Sequence, residues 1–278
     1  VTIILWASAF AGIRAGLRSY SPESVALLRY LTASAALALI ALLTRMPLPR
    51  VRDIPWIFLM GFLGFAFYNV ALNAGEQKIP AGTASMIIAS APIYVALFAS
   101  LWFHEKVRLG GWVGIFTSFT GVAIISIENG HGLQLSSTAL LVLAAALAQA
   151  LYSVLQKPLL QRYSPLQFTS YAIWTGTALM LFFLPGLLRQ IPSASLSSSL
   201  AVVYMGIFPG AIGYACWSVV LSRLPASQAG SFLYLIPATA ILIAWLWLGE
   251  LPETGAFLGG GFILLGVILV NMSRRSHP

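Results

Sequence analysis

Long apolar runs alternate with short polar or basic breaks along the whole chain. Each run is about twenty residues, the length a helix needs to cross a bilayer. The pattern predicts ten helical spans, at roughly 1–17, 22–44, 54–75, 81–103, 109–127, 138–157, 165–188, 199–221, 226–248 and 254–272. Ser21-Pro22 opens the second span and Ser164-Pro165 the seventh. A polar linker, 128–137, separates a first five-span unit, 1–127, from a second, 138–278.

The two units share a sequence. Residues 80–105 read PAGTASMIIASAPIYVALFASLWFHE, and residues 225–250 read PASQAGSFLYLIPATAILIAWLWLGE. At a constant offset of 145, positions 80–122 give thirteen identities, among them Pro80/Pro225, Pro92/Pro237, Trp102/Trp247, Glu105/Glu250, Gly114/Gly259 and Gly121/Gly266. Ser21-Pro22 and Ser164-Pro165 sit at an offset of 143, so a short length change lies upstream. Proline, tryptophan and glutamate at fixed spacing mark a duplicated unit rather than shared membrane composition. Each copy is expected to hold an apolar helix with a proline inside it.

Composition agrees with a membrane class. The chain is 59% hydrophobic and 8% charged, where a soluble domain carries about 25% charged residues. The net charge of +8 is therefore a property of loops and gives no reason to expect nucleic acid as a partner. With Cys216 the single cysteine, there is no internal disulfide and no cysteine metal cluster, and neither cofactor nor metal is expected. Val1 already lies in an apolar run without an initiator Met, which implies a short preceding segment, and no signal peptide is visible.

Charge also orients the spans. Ten basic residues, Arg45, Arg50, Arg52, Lys106, Arg108, Lys157, Arg162, Arg223, Arg274 and Arg275, fall on the side of the termini. Four, Arg14, Arg18, Lys78 and Arg189, fall on the other. The excess predicts cytoplasmic termini. A repeat of five spans, an odd number, inserts its second copy upside down. The fold class expected is thus an all-α membrane protein of ten transmembrane helices in two inverted five-helix repeats, the architecture of alternating access.

All seven acidic residues and the three histidines fall at predicted loops or span ends. Intramembrane catalysis needs a base, nucleophile partner or metal ligand at depth, so an enzyme is not expected. The same pattern argues against proton antiport through a membrane-buried carboxylate. Arg29 is the one predicted intramembrane charge: it reads either as a contact for a substrate carboxylate, or as a structural partner or snorkelling side chain. Pro92 and Pro237 each remove a backbone donor, giving either paired hinges or static kinks. Gly110/Gly114 and Gly255/Gly259 have the spacing for close helix approach. The candidate substrate-binding residues are Ser8, Tyr68, Asn69, Asn73, Tyr94, Gln149, Ser153, Trp174, Tyr214, Trp217 and Tyr234. Together they describe a neutral, aromatic-lined central cavity for an amphipathic solute.

Trp6-Ala-Ser8-Ala-Phe10 with Arg14, Ser21-Pro22 followed by Leu28-Arg29-Tyr30, Pro80-Ala81 and the Gly110–Gly114–Gly121 spacing carry a resemblance. The chain resembles the drug/metabolite transporter superfamily, in its ten-helix EamA-type branch, and within it the YddG-like aromatic amino acid and methionine exporters. That resemblance implies a multi-pass protein of a bacterial inner membrane, working as a monomer and exporting neutral or aromatic amino acids and methionine. Export of hydrophobic drugs or purine-like solutes is the alternative within the family; a non-transporting receptor or scaffold is the reading from another class. Small dimeric relatives in the superfamily use a first-helix glutamate, and the first span here has none.

Overall fold

The computed structural model describes residues 1–103, 109–128, 137–223 and 232–275. Side chains within them are described except at 96, 99–103, 126–128, 218, 221–223, 232, 234, 271 and 273–275. Most of the linker, together with Glu105, Pro225 and the side chain of Tyr234, lies outside these sets. The described residues are predominantly helical, with no strand among them.

Each of the ten apolar runs is a helix. They are α1 (Thr2–Gly16), α2 (Pro22–Leu43), α3 (Val51–Glu76), α4 (Ala81–Ile88 and Ala91–Phe103) and α5 (Leu109–Glu128), then α6 (Ser137–Leu155), α7 (Pro165–Ser193), α8 (Leu196–Met205 continuing to Arg223), α9 (Ile236–Leu248) and α10 (Thr254–Arg275). By length and composition α2, α3, α6, α7 and α8 are able to cross a membrane over their described residues, and the other five are also apolar. The starts follow local chemistry. Pro22 and Pro165 stand at first helical positions, where a missing N–H costs nothing. Ser164 and Gln167 close a reciprocal capping box ahead of α7.

The prolines of the repeat are not inside continuous helices. α4 stops at Ile88 and resumes at Ala91, so Pro92 sits in the first turn of its second segment. Pro237 likewise sits in the first turn of α9, after a 3-10 turn at Phe232–Leu235. Proline cannot fill a backbone hydrogen bond within a helix, so the helix restarts around it instead. The expectation of a helix running through each proline is corrected accordingly.

Two irregular segments went unpredicted. α3 widens to a π-helix over Phe62–Phe67 and α8 over Gly206–Ile212. Wider turns of this kind disturb the regular ladder. Side chains take carbonyls in these stretches: Asn69 Nδ2 donates to the Phe65 carbonyl at 2.8 Å, and Trp6 Nε1 to the Pro209 carbonyl at 3.2 Å.

The packing between the two units is reciprocal. A Cβ added at Gly114 would stand 2.5 Å from the Gly266 carbonyl oxygen, and one at Gly259 would stand 2.5 Å from that of Gly121. Residue numbers rise along α5 as they fall along α10, so the two helices pair antiparallel. Gly61 of α3 is closed off by Ala172, Thr175 and Gly176 of α7; Gly206 of α8 is closed off by Arg29 and Thr32 of α2. Ser118 Oγ donates to the carbonyl of Ile263, its own equivalent 145 positions on, at 2.9 Å. The hydroxyls of Ser34 and Thr177, 143 positions apart, lie 2.9 Å from each other. Both pairs join positions related by the sequence offset, and both sit near the middle of their helices.

The two ends of the bundle are tied differently. At one, Asp53 accepts from Arg162 and from the Tyr163 hydroxyl, the latter at 2.8 Å, while Tyr171 donates to the Pro47 carbonyl. At the other, Arg14 pairs with Glu250 at 2.8 Å, and the Tyr20 hydroxyl meets Ser199 Oγ at 2.7 Å. Gly249, with φ of +71°, turns the chain after α9 so that Glu250 reaches Arg14.

Candidate functional site

Five helices meet around one aromatic group. Trp6 of α1 packs against Tyr214 and Trp217 of α8, with ring centroids 5.1 and 5.3 Å apart. Phe65 of the α3 π-segment touches Tyr214 at 5.9 Å, Tyr30 of α2 at 5.5 Å and Tyr152 of α6 at 5.6 Å. The tilted and edge-on contacts satisfy the ring quadrupoles. The site lies close to the Ser34–Thr177 pair, since the Tyr30 carbonyl accepts from Thr177 Oγ1 at 3.2 Å.

Arg29 enters this group from α2. Its side chain is 7% exposed, so it does not snorkel to an interface. Nη1 donates to Asn69 Oδ1 at 3.2 Å, the guanidinium lies 5.3 Å from the Tyr30 ring centroid, and Nε has no partner among the described residues. Asn69 is fully enclosed and also donates to the Tyr30 hydroxyl at 3.0 Å. One turn on, Asn73 Nδ2 donates to the Pro22 carbonyl at 2.9 Å, and its Oδ1 has no partner among the described residues. A cation and an amide oxygen, both buried and both incompletely bonded, thus flank an aromatic wall. Such a set suits a solute with an apolar side chain and a carboxylate.

The other expected site residues divide. Tyr214 and Trp217 are central, and Tyr68, one position from Asn69, is half-buried. Trp174 donates from Nε1 to the Ser34 carbonyl at 3.2 Å, beside the Ser34–Thr177 pair. Ser8 is buried and bonds the Tyr204 hydroxyl at 2.8 Å. Tyr94 is not brought to the group: it packs on Phe119 and a satellite cluster with Ala146 and Ala150. Ser153 Oγ donates to the Gln149 carbonyl on its own helix, which uses the hydroxyl locally. The side chain of Tyr234 lies outside the described set. Sequence reasoning missed Trp6, Tyr30, Phe65 and Tyr152 as site members. No periodicity separates a buried aromatic cluster from interfacial anchors. No group of three or more potential metal ligands occurs among the described residues.

The EamA-like transporter family profile matches residues 1–127 and again 136–272. The chain is 44% identical over 263 residues to the uncharacterized transporter YdfC of Bacillus subtilis, covering 95% of this chain and 86% of that one. It is 39% identical over 271 residues to a probable terminal-alkyne amino-acid exporter of Streptantibioticus cattleyicolor, covering 98% and 91%. The inner membrane transporter YedA of Escherichia coli K12 is 28% identical over 277 residues, covering 99% and 90%. A solved crystal structure superposes with a TM-score of 0.69 at 19% identity, covering all of this chain and 96% of that one.

Proposed function

This chain belongs to the EamA-like transporter family and is a membrane transporter; from that premise we propose that it exports neutral or aromatic amino acids, methionine included. The observation that carries this reading is the meeting of the Arg29–Asn69 pair with the Trp6–Tyr214–Trp217 aromatic group. The guanidinium suits a carboxylate, and the rings suit an apolar side chain. The amino-acid exporter among the relatives aligns over nearly the whole chain, which supports the same class. The protein acts as a transporter rather than an enzyme, in a bacterial inner membrane, as a monomer with both termini cytoplasmic.

The transport cycle is alternating access between two inverted halves. The reciprocal contacts of α5 with α10, and of α2 with α8 against α7 with α3, support an approximate two-fold axis in the membrane plane. The helix breaks before Pro92 and Pro237 are the bending points. Pro92→Ala and Pro237→Ala are each expected to lower exchange flux while leaving thermal stability nearly unchanged. Equal flux in both variants and the parent reduces the breaks to static kinks.

The test of function is exchange of labelled phenylalanine, tyrosine and methionine in proteoliposomes. All three are expected to move. Movement of a hydrophobic cation or a purine without any of them overturns the amino-acid reading; no flux of any solute favours a scaffold or receptor. Tyr214→Ala and Trp217→Ala are expected to reduce the preference for phenylalanine over methionine by about tenfold, the scale of lost ring–ring contacts. An unchanged preference removes both residues from the site.

A further inference from the structure

Glu76 ends α3 and is fully buried, yet neither of its carboxyl oxygens has a hydrogen-bond partner among the described residues. The other buried acid of the described set, Asp53, is paired with Arg162 and Tyr163. The charged groups acting on Glu76 are Arg14 from α1, Glu250 from the turn after α9 and Arg29 from α2. From α6 the neighbours of the adjoining Gly75 are Val142 and the Thr138 backbone, which carry no charge. The first segment of α4, AGTASMII, has no titratable side chain either.

Arg14 is already committed. Its Nε and Nη2 hold the Glu250 carboxylate at 2.8 to 3.2 Å, while Nη1 donates to the backbone carbonyls of Glu76 at 2.6 Å and Gln77 at 3.2 Å. One guanidinium therefore stands between two carboxyl groups and neutralises only one. An ionised carboxylate stripped of water and of hydrogen bonds is strongly disfavoured.

We propose that Glu76 is a proton-binding site that latches this end of the bundle. With Arg14 on Glu250 the end is closed, and Glu76 holds its proton. When the turn after α9 swings away, Arg14 remains tethered to the Glu76 and Gln77 carbonyls and turns to the Glu76 carboxyl. Glu76 then releases one proton to the solvent at that end and becomes the carboxylate of a new ion pair; Arg14 stays protonated throughout. Low pH on that side favours closure, and high pH favours opening. The proton site stands on geometry alone; only the description of the motion as a gate rests on the transporter reading.

The test uses the full chain in lipid nanodiscs. Infrared difference spectra across a pH titration are expected to contain the carbonyl band of a protonated carboxylic acid. That band should vanish in Glu76→Gln. It should also vanish in Glu250→Gln, where the neutral partner frees Arg14 for Glu76. In a Cys216→Ser background, spin labels at the exposed positions Gln77 and Leu251 report the distance across the latch. The distance is expected to lengthen as pH rises in the parent and to stay short at every pH in Glu76→Gln. A band common to the parent and both variants, no such band in the parent, or a parent distance that ignores pH overturns the proposal. Neither readout needs transport, so failure here leaves the exporter reading intact, and absence of amino-acid flux leaves the proton site intact.

Discussion

Gly121→Val will separate α5 from α10 and leave little folded protein. A Cβ at Gly121 already has the Gly259 carbonyl oxygen and Ile263 inside contact distance, and on its own side a Cβ at Gly259 would reach back to Gly121. The obstacles are largely backbone, which cannot rotate aside as a side chain would. Overpacking of a tight contact costs about 1–3 kcal/mol, more where the backbone itself must move. In lipid the loss is greater in consequence, because close packing rather than the hydrophobic effect holds transmembrane helices together. The Ser118–Ile263 hydrogen bond, one turn away, breaks with it. Size-exclusion yield and thermal unfolding in detergent are the measurements. Gly261→Ala, on the partner helix α10, serves as the control, since nothing lies within 4 Å of a Cβ there. A Gly121→Val protein as stable as that control contradicts the packing described.

The second large effect concerns Arg29. Arg29→Met is expected to lower phenylalanine exchange at subsaturating concentration by about 100-fold, the scale of one buried charge-assisted contact. Phenylethylamine, which has the ring but no carboxylate, supplies the decisive comparison: its transport should change little. The fold should survive, because Asn69 keeps its bonds to the Tyr30 hydroxyl and the Phe65 carbonyl. Equal losses for both solutes assign Arg29 to structure rather than to the substrate. Neither outcome depends on the latch at Glu76.

The helices were legible because a span needs only length and apolarity, and both are local. Pro22 and Pro165 marked two starts without ambiguity. The duplication was legible because it is a comparison of the chain with itself. What was not legible depends on which residues meet. The π-segments of α3 and α8 recur at matched positions, yet nothing in FLGFAF or GIFPGAI announces a wider turn. Asn69 looked like a free polar ligand, but much of its capacity repairs the α3 backbone. Tyr94 looked equivalent to Tyr214 by depth, but the two face different neighbours, Phe119 in one case and Trp6 in the other. Glu76 looked harmless at a span end. Its enclosure arises from neighbouring helices, α1, α2 and α6 among them, so a buried acid was missed by counting positions along one.

The exchange proposed for the two halves carries a thermodynamic consequence. Were the halves identical, the state open at one face and the state open at the other would have equal free energy, and each would be equally populated. Any preference must come from positions where equivalents differ. Ser34 meets Thr177, the Ser118 hydroxyl meets the Ile263 backbone carbonyl, and Arg14 corresponds by offset to Lys157. An arginine grips a carboxylate with a planar fork; a lysine does so as a single mobile charge. On that proposal the resting bias of the molecule is a sum of small broken degeneracies, and swapping equivalent residues between halves should reverse its sign.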